Sequence, residues 1–382
     1  MKLLEPGQLD VERMSEESSK ALNFVRAWTD GEDTALILNV ETKMLLLDTG
    51  THQFPLSLNS GNERADNCYV VSPMTTYVGY ANEEIKRLHR PWLAWLLTGL
   101  VSGMAGLLAH AQVDRIVQVN NWLLSTNVYP GDWHGDDIAE FTRLLAETFP
   151  DHAIAFRSLN FRCNRTLIMR LQSQGYVPVP SRQVYLFDAT QGERSPMLCR
   201  HNTMVDDTLL RRSPYQIVHG KDLPDSDFPR LEQLYNQLYL EKYCWLNPQF
   251  TADWMRRGQQ DGWLEIRVLR TDEGRIDGVL GWFTNGQILT APLVGYDTSL
   301  PQGLGLYRML TRLCLREAVA RRCLLNFSSG AAQFKRLRGG QPEIEYSMVY
   351  SRHLPASRRQ VWKLLGHISQ KIGVPIMRTL KL

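Results

Sequence analysis

The stretch PQGLGLYRMLTRLCLREA, residues 301–318, sets Gly303 and Gly305 just ahead of a helical pattern carrying Arg308, Arg312 and Arg316. The unpaired backbone N–H groups of a helix start, together with the positive end of its dipole, favour an anion. Glycine lets a phosphate approach that backbone where a side chain would hold it away. The run ILTAPLVGYDT before the turn reads as a strand, so the order is strand, tight turn, helix. Two readings of the glycines stand: a phosphate cradle assisted by Arg308, or relief of an ordinary tight turn. Other chemistries lack their residues. There is no HExxH, paired His/Cys or EF-hand spacing, so no metal is expected. No Cys-His or Ser-His pairing calls for a covalent enzyme intermediate.

Charge is unevenly placed. The chain has 382 residues and a net charge of +3, but residues 302–382 carry fifteen Lys/Arg against Glu317, Glu343 and Glu345. That end has a net charge of +12, and residues 1–301 a net charge of −9. The last 37 residues hold seven bases and no acid. Such asymmetry suits an anionic partner (nucleic acid, nucleotide or lipid headgroup), or else a basic end that covers the acidic part of its own chain.

The elements that must position this turn follow from periodicity. TALILNVETKMLLLDTG reads as a hairpin turning at Glu41-Thr42. Beyond a long apolar helix come strand RIVQVNNWLLSTNVY, helix DDIAEFTRLLAETF, strand HAIAFRSL, helix NRTLIMRLQSQGY and strand RQVYLFD. In the first of these two helices Ile138, Phe141, Leu144, Leu145 and Phe149 share one face. Residues 191–214 show little periodicity and are expected to be a linker. The second half then gives strand YQIVHG, two helices, and a three-strand meander turning at Asp272-Glu273-Gly274 and Asn285-Gly286. The Arg-studded helix, strand LLNFS, helix AAQFKRLRGG and strand EIEYSMVY follow, and a basic helix over about 357–373 closes the chain. Both halves end on helix, strand, helix, strand. The pattern predicts an α+β fold with a possible internal duplication: domains over 1–190 and 215–355, and a basic C-terminal helix over 356–382.

The length suits two domains at roughly 100–200 residues each. Six scattered cysteines without a CxxC pair, and an N-terminus too acidic for a signal or transit peptide, point to reduced, buried thiols in the cytoplasm. The uncharged run PWLAWLLTGLVSGMAGLLAHA, residues 91–111, has the roughly 20-residue length of a membrane span and a GxxxG spacing at Gly99 and Gly103. Its three glycines, Ser/Thr residues and histidine predict instead a buried helix covering a sheet, without stable membrane insertion.

The runs EKYCWLNPQFTADWM, LTAPLVGYDT, GLGLYRML and FSSGAAQFKRLRGG make the second half resemble the GNAT (N-acetyltransferase) superfamily. The resemblance is to the branch related to the Fem-type peptidoglycan aminoacyl transferases, which carry two such domains. It covers about 155 residues around 215–353 and rests most on Phe-Lys-Arg followed by Gly-Gly. The first half is similar only in element order and in NRTLIMRLQSQGYVPV. The resemblance implies two tandem GNAT-like domains, each a mixed sheet flanked by helices, with a catalytic second domain. It also implies that the turn after the fourth strand follows Gln/Arg-x-x-Gly-x-Gly/Ala and binds the pyrophosphate of coenzyme A. Here Gln302 and Gly305 fit, but Tyr307 stands where Gly or Ala belongs. A second departure is Phe334, aligned with a tyrosine that serves many GNAT enzymes as general acid.

Both departures are familiar in the Fem-like branch, whose donors are aminoacyl-tRNAs. The resemblance therefore implies N-acyl transfer to the amine of a small acceptor, from an aminoacyl-tRNA or from an acyl-CoA or acyl carrier protein thioester, with no tightly bound cofactor. The donor set it implies is Gln302, Gly303, Gly305, Tyr307 and Arg308, with Lys335, Arg336 and Arg338 reaching phosphates of a tRNA end. Phosphate contacts of that kind weaken with salt. Pro292, which cannot donate to a sheet ladder, fits a break in the strand where the family bulges to offer an N–H to the acyl oxygen. Asp297 is the candidate base, or an Asp that opens the turn after its strand. Tyr243 joins it as a catalytic candidate, and Tyr239, Lys242 and Asn247 lie on the acceptor side. A reading of a different class also stands: a non-catalytic relative binding nucleic acid or another anionic partner through its basic end.

Overall fold

Val-, Ile- and Leu-rich runs build twelve strands of one mixed sheet. The structure is a computed structural model and describes residues 1–5, 16–29, 35–86 and 90–380. Most of the acidic N-terminal stretch, and residues 87–89 of the basic run before the apolar helix, lie outside these. The first-half strands are β1 (Lys2–Leu4), β2 (Lys43–Asp48), β3 (Gln53–Ser60), β4 (Arg115–Val119), β5 (Ala153–Leu159) and β6 (Val177–Asp188). Those of the second half are β7 (Gln216–His219), β8 (Glu265–Arg270), β9 (Ile276–Asn285), β10 (Ile288–Tyr296), β11 (Leu324–Asn326) and β12 (Gln341–Tyr350).

Their order is β1-β2-β3-β4-β5-β12-β6-β11-β10-β9-β8-β7. The halves have exchanged their last strands. β12 lies antiparallel beside β5, β6 lies antiparallel beside β11, and β6 and β12 pair with each other at the centre. Read from either edge inward, the pairings are the same: three antiparallel, one parallel (β4 with β5, β10 with β11), then the borrowed strand. This identity of topology matches the duplication suggested by element order.

Shared aromatic packing joins the halves further. Phe24 lies 5.3 Å from both Trp122 and Trp263, and Trp122 lies 4.6 Å from Phe283. Large buried side chains of this kind contribute most of the apolar area removed from water.

Four local expectations change. The hairpin is not the one centred on Glu41-Thr42: β2 pairs with β3 around Thr49–Gly50, while Ile37 makes only an isolated bridge to Phe250. Residues 191–214, expected as a linker of little periodicity, hold two 3₁₀ turns and the helix His201–Arg212. Of the six cysteines, all free, Cys199 is exposed rather than buried. The apolar helix Pro91–His110 buries only Leu97, Met104 and Leu108, leaving Trp92 66% and Trp95 79% exposed. Its covering role is partial, and the face turned from the protein carries no charge.

Candidate active site

The turn after β10 has the geometry the glycines suggest, but it is covered at Gly305. Gly305 caps the helix Leu306–Ala320 at φ 70°, ψ 32°, a left-handed conformation that favours glycine. A Cβ there would lie 2.6 Å from Leu209 Cδ2 of the helix His201–Arg212. That helix also brings buried Asp206, whose carboxylate accepts from Arg308 Nε at 2.7 Å and from Arg338 Nε at 2.5 Å. Asp207 beside it accepts from Arg312 and Arg316, each at 2.8 Å. Arg321 meets Glu265 at 2.6 Å. Much of the basic excess of the second half is therefore balanced by acids of the same chain.

The nearby space that is open lies between the halves. A cavity of about 520 Å³ falls in the usual range for small-molecule sites. Its C-terminal wall includes Tyr239, Tyr243, Asn247, Ala291, Tyr307 and Lys335. Ala291 lies where β10 breaks register against β9, between Thr290 and Leu293, beside Pro292. The bulge expected from Pro292 is present, and it borders this cavity.

Of the sequence-derived set, the structure thus brings Tyr239, Tyr243, Asn247, Tyr307 and Lys335 together and leaves the rest outside. Gln302 and Gly303 are exposed, Gly305 is covered, and Arg308 and Arg338 are held by Asp206. Arg336 lies over the Tyr185 ring at 5.6 Å. Exposed Lys242 reaches the Tyr296 hydroxyl, at 3.5 Å. Asn247 is fixed by donating to the carbonyls of Tyr239 and Cys244 at 2.9 and 3.0 Å.

Asp297 sits as the turn reading expects. Its carboxylate accepts from Arg230 at 2.6 Å and from the Ser299 N–H and hydroxyl at 3.0 and 2.5 Å. Burial pushes its pKa up, but these bonds from Ser299 and Arg230 outweigh burial and hold it below the ordinary carboxylate value. Such a group resists taking a proton.

Lys335, expected to reach phosphates of a tRNA end, is buried with its amine turned onto its own chain. Its Nζ donates to the carbonyls of Phe327, Ser328 and Ser329 at 2.5, 3.2 and 2.7 Å. Burial, with the charge of Arg182, brings its pKa down to about 7. The ammonium satisfies all three carbonyls, whereas the neutral amine satisfies two and keeps a lone pair. Either way it pins residues 327–331, where Ser328, Gly330 and Ala331 have positive φ.

Tyr307 occupies the space next to the vacant acid position. Its ring lies 4.8 Å from that of Phe334 and 6.2 Å from that of Tyr296. Burial raises its pKa well above the ordinary tyrosine value, with the neighbouring Tyr239 and Tyr243 adding to it. Tyr239, stacked on Tyr235 at 5.0 Å, is raised too, again chiefly by burial. Both hydroxyls keep their protons at neutral pH.

The first half supplies a wall that sequence reasoning missed. Tyr69, Tyr77, Tyr80 and Arg182 line the cavity. Arg182 arrives on the exchanged strand β6, bound to Glu345 of β12 at 2.8 Å and to Thr126 Oγ1 at 2.8 Å. Three π-helical turns, Thr75–Gly79, Gln237–Glu241 and Ser369–Gly373, each add side chains to the lining. Such turns are rare and concentrate at functional sites. No local pattern marks them in the sequence.

Residues 226–336 match the family model of the acetyltransferase (GNAT) domain. No curated protein matches the sequence. Among solved structures the chain is similar to the crystal structure of FemX, with a TM-score of 0.53 at 6% identity, over 95% of this chain and 99% of that one. It is also similar to a conserved protein of unknown function from Bacteroides thetaiotaomicron (TM-score 0.47, 10% identity, 88% of this chain and 92% of that one). A third similarity is to L-PGS from Bacillus licheniformis (TM-score 0.42, 15% identity, 60% of this chain and 77% of that one).

Proposed function

We propose that this chain, whose residues 226–336 match a GNAT domain and whose fold is similar to that of FemX, is an N-acyltransferase working in the cavity between its halves. The observation that carries this is the meeting, in one cavity, of the β10 register break with Tyr239, Tyr243 and Tyr307. Acyl transfer to an amine needs a neutral nucleophile, a donor for the developing oxyanion and a proton for the leaving group. The broken strand borders the place for the acyl oxygen. Tyr307, which keeps its proton at neutral pH, is the proposed proton relay: its hydroxyl protonates the departing atom and regains a proton from the attacking nitrogen. One C–N bond forms, one bond from the acyl carbon to the leaving oxygen or sulfur breaks, and the tyrosine ends as it began.

Between the two donor classes, the covered turn favours an aminoacyl-tRNA. Leu209 packs against Gly305 and Asp206 holds Arg308, so neither Gly305 nor Arg308 is free to receive a coenzyme A pyrophosphate. The cytoplasm, where charged tRNA is made, is the matching location, and the acceptor is a small-molecule amine. The test is transfer by the purified, nucleic-acid-free protein from labelled aminoacyl-tRNA, and from acyl-CoA, to a panel of primary amines. The expected result is amide formation from the tRNA that falls on Tyr307→Phe. Amide formation from acyl-CoA alone would overturn the donor reading. RNA binding without transfer from either donor would favour the non-catalytic alternative.

A further inference from the structure

The helix Pro91–His110 is about 30 Å long and carries no Asp, Glu, Lys or Arg. Beyond Trp92 and Trp95, Leu96 and Leu107 are 55% and 43% exposed. Among the described residues nothing lies within 4 Å of a Cβ built on Gly99, Gly103 or Gly106, so they leave the outward face open along its length. A contiguous uncharged surface of this size marks a site of interaction.

Its inner face is already used. Leu97, Leu100, Val101 and Met104 line the cavity, opposite Leu365, Ile368 and Ile372 of the terminal helical segment. That segment packs beside it through Trp362 and Leu365 against Met104 and Leu108. From Ala356 to Leu380 the chain has bases and no acid. Exposed Lys363, Lys371 and Arg378 have no acidic partner among the described residues, and Leu364 and Ile372 are exposed among them. Exposed Arg90 stands just before the first turn of the uncharged helix.

Tryptophans at one end of an apolar face, with unpaired bases alongside, are the chemistry of a lipid headgroup boundary. A protein partner would not need the basic border, whereas an anionic leaflet is complementary to it. With one side of the helix bound to the protein, the helix can lie in a membrane surface but not cross it. We infer that the helix Pro91–His110 and the terminal segment beside it seat on an anionic bilayer, so that the apolar cavity mouth between them receives a substrate bearing a hydrocarbon chain. The substrate clause rests on the cavity being the site of transfer. The bilayer clause does not.

The test uses the full-length protein with vesicles of phosphatidylcholine alone and of phosphatidylcholine mixed equally with phosphatidylglycerol. Sedimentation is expected with the anionic vesicles, falling with salt. Trp92→Glu and Trp95→Glu, both at exposed positions, each weaken binding by roughly ten- to a hundredfold. Lys363→Gln and Lys371→Gln cost about fivefold each. Alkaline carbonate releases the protein. No sedimentation, equal binding to both vesicles, or resistance to carbonate would overturn the proposal. So would a solution dimer that Trp95→Glu converts to monomer, because the face would then belong to a second copy. For the cavity mouth, cis-parinaric acid fluorescence is expected to saturate, and Val101→Trp to weaken it at least tenfold with vesicle binding unchanged. Non-saturable fluorescence would remove the substrate clause. None of these measurements involves transfer, so their failure leaves the acyltransferase reading standing, and failed transfer leaves them intact.

Discussion

Substituting Gly305 with alanine tests whether the helix-start turn is closed by Leu209 or kept open for a ligand. Two costs are expected. The left-handed backbone at φ 70° penalises a Cβ by about 1–2 kcal/mol. The new methyl would also stand 2.6 Å from Leu209 Cδ2, and overpacking of that kind costs about 1–3 kcal/mol. Gly305→Ala should therefore destabilise by about 2–5 kcal/mol in urea unfolding followed by circular dichroism. Leu209→Ala alone, at a half-buried position, should cost about 1–2 kcal/mol, below the range for full burial. In the double variant only the backbone strain and the lost leucine packing remain. Its destabilisation should fall short of the sum of the single values by about 1–3 kcal/mol. Additivity within about 0.5 kcal/mol would mean that Leu209 does not press on this glycine, and the argument for a covered turn would fail.

Asp206→Ala should destabilise by about 3–5 kcal/mol, because it strands the buried Arg338 guanidinium; a loss under 1 kcal/mol in the same unfolding assay would contradict the clamp. Tyr307→Phe should lower kcat for transfer by about 10²- to 10⁴-fold with an unchanged unfolding midpoint, and an unchanged kcat would remove Tyr307 from the chemistry. Asp297→Asn should leave transfer within about threefold, because the carboxylate is engaged by Arg230 and Ser299 and resists protonation; a large loss would restore it as a base. Lys335 is held at about 7 in the fold, against 10.5 ordinarily. Between those values the unfolded chain binds the extra proton, so this residue makes stability rise with pH by about 1.4 kcal/mol per unit. The penalty is fully present below about 7 and gone above 10.5. Comparing wild type with Lys335→Met at pH 7.5 and 9.5 should show that slope only in wild type, and parallel pH profiles would refute it.

Much of the second half was legible because its signals are local. Asn285-Gly286 sets the β9–β10 hairpin, and Pro292 marks the place where its register breaks. What failed had causes beyond any local window. Pro55 makes QFPLSLNS a poor strand by composition, yet β3 forms and pairs Pro55 with Leu46. The helix His201–Arg212 has little apolar periodicity, and Asp206 and Asp207 hold it to arginines about a hundred residues away. Tyr307 was readable only as damage to a phosphate motif; its contact with Phe334 comes from the folded approach of two helices. Likewise, nothing within RQVYLFD or EIEYSMVY states that each strand belongs to the other half's sheet, and so the Arg182–Glu345 wall of the cavity was invisible.

The strand exchange also dictates an order of events during synthesis. Once residue 188 leaves the ribosome, β5 and β6 both exist, but the slot between them is reserved for residues 341–350. For the time it takes to make those last residues, two unpaired strand margins face each other across a gap, a template for pairing with the wrong chain. Productive folding must wait for contacts nearly two hundred residues apart, which slows it. The exchange thus leaves neither half's sheet complete without a strand of the other.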